Sequence, residues 1–172
     1  MRRARMSIVS LLGVSCLLLL TASPSGADGP WRVRSAGELR DLLPTSDQPT
    51  DHATAQVVAV EVEGGTQVTL KVQGLDHAAA GTELGAHVHV GSCVAGDGLA
   101  AGPHYNAGGG ISDHSEVWLD FTIGANGTGF GETFVPFHIP AGGAGAVVIH
   151  AMATNHDTGA AGARWACLPA PF

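Results

Sequence analysis

The chain has 172 residues, 45% of them hydrophobic and 13% charged, with 25 glycines, so it has room for one domain of ordinary size. Its 8 basic side chains are outnumbered by 15 acidic ones, which excludes nucleic acid, whose binding depends on clustered Lys and Arg. The same balance disfavours anionic membrane surfaces.

The N-terminus reads as a secretory signal over residues 1–27. Met1-Arg-Arg-Ala-Arg5 is a basic n-region, Ile8 to Leu20 is an apolar core, and Ser25-Gly-Ala27 offers small residues for cleavage after Ala27. The apolar run is shorter than the ~20 residues a membrane span needs, so no span is expected in the mature form. Cys16 makes a poor lipoprotein box, which leaves lipid anchoring the lesser reading. Loss of Arg2, Arg3 and Arg5 leaves five basic and 15 acidic side chains, a mature net charge of −10. The two remaining cysteines, Cys93 and Cys167, are expected to pair in an exported protein. They enclose a long loop whose closure is worth about 4 kcal/mol in chain-entropy models.

Residues 28–53 hold Pro, Ser, Thr and Asp with little periodicity and read as a flexible N-terminal segment or linker. Trp31, Val33, Leu39, Leu42 and Leu43 offer the alternative of a short helix or docking segment. From about residue 54 to 172 the pattern becomes short alternating runs separated by glycine. Gln56–Glu63 and Val68–Val72 flank Gly64-Gly65 as a β-hairpin. Further strands are expected at Glu83–Val90, Glu116–Ile123, Gly129–Val135 and Ala146–Ala151, with a primed turn at Asn126-Gly127. The domain is therefore read as all-β, a sandwich or flattened barrel.

Chemistry concentrates in the second half. Alternation along Ala86-His87-Val88-His89-Val90 puts both histidines on one face, about 7 Å apart, close enough to share a metal. Gly102-Pro-His104-Tyr-Asn106 follows, and His150 ends the apolar run Val147-Val-Ile149. Four imidazoles from separate segments suit copper or zinc, and an open position suits a redox-active copper. After Lys71 the only Lys or Arg is Arg164, a placement that suggests guiding a small anion to the metal.

The ordered set His-Val-His, Cys, Gly-Pro-His-Tyr-Asn, a strand ending in His, and Gly-x-Arg-x-x-Cys resembles the Cu/Zn superoxide dismutase family over roughly Gly74 to Leu168. The resemblance implies a Greek-key β-sandwich with the metal site on connecting loops. It implies His87, His89, His104 and His150 as copper ligands, a Cys93–Cys167 disulfide, and Arg164 as the guide for superoxide. The reaction it implies alternates Cu(II) and Cu(I), converting superoxide to oxygen and hydrogen peroxide, with His104 leaving Cu(I) and delivering a proton.

The zinc half departs from the family pattern. The loop Ala107–Glu116 keeps one histidine, His114, which aligns with the family's last zinc histidine as a zinc remnant, while the family's aspartate falls on Val117. The reading is therefore a copper-only variant in which zinc is absent and His104 takes a new partner, Glu116 or Asp120. His156 and Asp157 are read as loop residues, as are His52, His77 and His138. Trp118, Tyr105 and Trp165 are read as packing residues, with Tyr105 also a candidate for lining the channel. The functional expectation is an exported dismutase protecting the cell envelope, against a noncatalytic copper carrier on the same scaffold.

Overall fold

A computed structural model describes residues 32–172. The signal segment, Cys16 and Trp31 lie outside the described residues. Ten antiparallel strands form the two faces of a sandwich with a small third sheet, and the sheets do not close into a barrel.

The expected hairpin is the centre of the first sheet. Strands β3 (Thr54–Val62) and β4 (Gly65–Gln73) pair from Thr54↔Gln73 to Val62↔Gly65. The turn is Glu63-Gly64, with Gly64 at φ 83°, one residue earlier than the sequence reading placed it. Val57, Ala59, Val68, Leu70 and Val72 are completely buried, and each of the valines and the leucine contributes about 1.5–3 kcal/mol. β8 (Thr128–Val135) pairs with β4, and β1 (Arg32–Glu38) pairs with β3, giving the order β1-β3-β4-β8.

β1 corrects the expectation of a flexible segment over residues 28–53. From Arg32 the chain is an edge strand, and after Leu39 it changes sheets: β2 (Arg40–Asp41) pairs with β10 (Arg164–Pro169). Val33, Leu39 and Leu42 are buried, and that burial fixes a segment whose polar neighbours concealed it. Among the described residues 32–53 no helix forms.

The second sheet runs β2-β10-β9-β6, with β6 at Ala86–His89 and β9 at Ala146–His150. Neighbours distant in sequence, such as β6 with β9 and β4 with β8, reflect Greek-key connections. Ala86, Val88, Val147, Ile149, Ala166 and Leu168 point into the core shared with the first sheet. The opposite face carries His87, His89 and His150. Val148 and Ala146 stand directly beside His87 and His89 on that face and join Leu42, Cys93, Ala101 and Cys167 in a small cluster.

The expected strand Glu116–Ile123 is extended but mostly unladdered. Only β7 (Phe121–Thr122) pairs as a strand, with β5 (Glu83–Leu84), while Trp118 bridges His87 and Glu116 bridges Asn106. Its alternation is as read: Val117, Leu119 and Phe121 join the core while Glu116, Trp118 and Asp120 face the histidines' side. The segment crosses close to β8, where a Cβ at Gly131 would collide with the Leu119 carbonyl. Asn126-Gly127 does turn the chain into β8, but not as a primed turn. Among the described residues only His52 is a non-glycine with positive φ, and Gly127 alone (φ 68°) takes the left-handed conformation. The Gly127 amide donates to the Gly124 carbonyl at 2.9 Å.

Candidate metal centre

Four histidines meet on the outer face of the second sheet. Alternation on β6 puts His87 and His89 side by side, and β9 ends with His150 on the same face. The loop before Tyr105 is held against β6 by Val90 N–H to the Pro103 carbonyl (3.1 Å) and Tyr105 N–H to the Val88 carbonyl (2.8 Å), which brings His104 opposite His89. One nitrogen from each ring lies within 4.8 Å of all the others. Four nitrogens held at ~2 Å by one ion lie about 3–4 Å apart, so little closure is needed.

The second nitrogen of each ring is used by the protein. His89 Nδ1 donates to the Gly102 carbonyl at 3.0 Å, and His150 Nδ1 to the Gly162 carbonyl at 3.4 Å. His104 Nδ1 donates to Glu116 Oε2 at 2.7 Å. Thr154 Oγ1 donates to Asp120 Oδ1 at 2.8 Å, so it accepts from His87 Nε2 at 2.7 Å. Each imidazole thus carries its proton on the bonded nitrogen and turns a lone pair inward.

Two consequences suit the cluster to holding a cation. His87 Nδ1 is buried and has no partner, an arrangement that costs free energy unless something fills it. His89 Nε2 and His150 Nε2 stand 3.3 Å apart with facing lone pairs, a repulsive contact that a cation between them relieves. Burial, then the mutual proximity of the rings and Arg164, pushes the His87 pKa far below its ordinary value. Burial likewise lowers His89 to about 3 and His150 to about 4, against a weaker opposing pull from their carbonyl partners. At neutral pH these three are uncharged donors. The residues present therefore fit a nitrogen-liganded metal such as copper.

Glu116 is the partner of His104. Its buried carboxylate also accepts from Trp118 Nε1 at 2.9 Å and Asn106 Nδ2 at 3.2 Å. Asp120 does not reach His104. It is tied to Thr154 N–H (2.8 Å), Thr154 Oγ1 and Ala86 N–H (3.1 Å), and so orients His87 instead. His114 is not brought to the cluster: it is exposed and lies 3.6 Å from Asp113.

Arg164 is placed by a bulge. β10 pairs Arg164 with His150 and Ala166 with Ile149, leaving Trp165 as the extra residue. A regular strand would set Trp165 opposite His150, so the bulge puts Arg164 there and re-aims its side chain. The Arg164 Nη1 donates to the Gly98 carbonyl at 2.6 Å. Burial lowers its pKa from the ordinary value, yet an arginine stays protonated. It lines an open depression of about 550 Å³ with His104, Glu116, Ile111 and Gly159.

The expected disulfide Cys93–Cys167 is formed. Tyr105 packs on Phe137 at 5.9 Å between ring centroids rather than lining this depression. Trp118 does more than pack, through its bond to Glu116, and His156 sits edge-on to it at 5.3 Å. Thr154 was missed in the sequence. Its role depends on Asp120 and His87, 34 and 67 positions away, and no local pattern marks it. No protein-family model and no curated protein matches the chain.

Proposed function

We propose that the chain is an exported copper enzyme that dismutates superoxide: two superoxide anions and two protons give one oxygen and one hydrogen peroxide. His87 Nδ1 and the Nε2 atoms of His89, His104 and His150 are the nitrogens that would hold the metal. Copper, when bound, supplies a one-electron couple that accepts from one superoxide and donates to another.

The chain's own residues supply the rest. Arg164 offers a permanent charge and a planar donor fork at the mouth of the depression; in a mature chain of net charge −10 it is the cation beside the site, and it draws in a small anion. His104 is fixed through Nδ1 by the buried Glu116, so its Nε2 is the atom that takes up and hands over a proton while the ring keeps its place. The Glu116 carboxylate occupies the position where a second metal would otherwise meet His104, which supports a copper-only reading. The signal-like sequence of residues 1–27 and the disulfide support export, and among the described residues no helix is long and apolar enough to cross a membrane.

The single observation that carries this reading is Arg164 beside four converging imidazole lone pairs. A noncatalytic copper carrier on the same scaffold needs the histidines but not the arginine. Arg164→Ala is expected to lower superoxide turnover about tenfold or more at low ionic strength, with copper stoichiometry unaltered. The value of the missing charge is electrostatic and shrinks with added salt. Equal turnover of the variant and the parent at low salt would favour the carrier.

A further inference from the structure

We infer that Arg40 is a positioning residue for Arg164, acting through the disulfide loop. Its bearing on catalysis rests on the dismutase reading; the positioning itself does not.

The Arg164 guanidinium is anchored by the Gly98 carbonyl, so its place depends on whatever holds Gly98. That carbonyl opens the 3-10 turn Gly98–Ala101, which Asp97 caps through Oδ1 to the Leu99 and Ala100 amides at 3.0 and 3.2 Å. The turn ends a loop that begins at Gly91 and is attached to β10 by the Cys93–Cys167 disulfide. One covalent point lets a loop pivot. The further points come from the N-terminal segment that changes sheets.

Arg40 brackets the disulfide. Its backbone pairs with Cys167 in the β2–β10 ladder, and its Nη1 donates to the Cys93 carbonyl at 2.7 Å. The next residue, Asp41, accepts the Gly96 amide at 2.9 Å, and the Leu42 amide donates to the Trp165 carbonyl at 2.8 Å. Leu42 is buried against Cys93, Ala101 and Cys167. A Cβ built on Gly98 would lie 3.5 Å from Arg164 Cβ and 3.8 Å from Leu42 Cβ, so Gly98 sits between the strap and the arginine it holds. The carbonyl of Cys93 has a charged donor from this strap, while that of Gly98 is left for Arg164. Two arginines thus bind one loop at two carbonyls, Cys93 and Gly98, and only Arg164 lines the depression with His104.

The test uses the full metal-free chain first. Hydrogen exchange at the Arg164 Nη1–H, the group bonded to Gly98, followed by NMR, is expected to quicken about fivefold in Arg40→Gln, as loss of one hydrogen bond predicts, and to return toward the parent rate in Arg40→Lys. Arg40 is exposed, so both variants are expected to fold. In the copper-loaded chain, Arg40→Gln is expected to lower superoxide turnover when Arg164 is present and to change nothing in an Arg164→Ala background. Unchanged Nη1–H exchange in Arg40→Gln would overturn the inference. So would an equal effect of Arg40→Gln with and without Arg164. If the copper-loaded parent shows no dismutation, the dismutase reading fails and the exchange measurement still decides the positioning.

Discussion

Thr154 has one hydroxyl proton, and where it goes decides the chemistry of His87. Asp120 takes it, so the hydroxyl oxygen must accept from His87 Nε2, and His87 Nδ1 becomes a buried lone pair aimed at the other three rings. Thr154→Val keeps the shape and removes both bonds. Copper affinity, measured by competition with a chromophoric chelator, is expected to fall 10- to 100-fold, the usual range for losing a group that orients a metal ligand. Thr154→Ser should restore it, and an unaltered affinity in the valine variant would mean that Asp120 and Thr154 do not orient the ring. The histidines themselves were legible in sequence because strand alternation fixes the face of His87 and His89. Glu116 was legible only as one of two acids near His104. The choice between it and Asp120 depended on how the 116–120 segment crosses β6, which no local pattern encodes.

The elements that build the sandwich around the site were legible to different degrees. β3 and β4 alternate cleanly and β9 is a continuous apolar run, so the sandwich and much of its core could be read directly. β1 and β2 could not: their hydrophobic residues are spaced for a strand that pairs with one sheet and then the other, and a change of sheet breaks the period. β10 was hidden by its bulge, which breaks the register at Trp165, and by its composition, in which two small residues and a proline stand among six. The segment that carries Glu116, Trp118 and Asp120 depends on β8 having no side chain at Gly131. Gly131→Ala forces a methyl against the Leu119 carbonyl and should cost about 1–3 kcal/mol in denaturant unfolding, the usual penalty of overpacking. It should also weaken copper binding, because Glu116 and Asp120 ride on the displaced backbone. A stable variant with full copper affinity would show that the crossing does not set the site.

For the molecule as a whole, the histidine centre makes folding depend on pH. His89 and His150 titrate near 3 and 4 in the folded metal-free chain, and His87 lower still, against 6.5 when exposed. The unfolded chain therefore binds more protons below about pH 6.5, and stability falls as pH drops from there towards 3–4. Each of these histidines removes up to about 1.4 kcal/mol per pH unit within that window. Thermal melts of the metal-free protein should be level between pH 7 and 8 and fall steadily below 6.5. A variant with His87, His89 and His150 replaced by glutamine should lose most of that slope above pH 5, and a parent that melts at one temperature from pH 7 to 5 would contradict the assigned protonation.

The most direct measurement is superoxide decay by the purified mature chain after loading with copper alone, with bound metal counted on the same sample. The account predicts one copper per chain and rapid decay that added zinc leaves unchanged. One bound copper with decay no faster than the uncatalysed reaction would contradict it, and would leave the four histidines as a copper store.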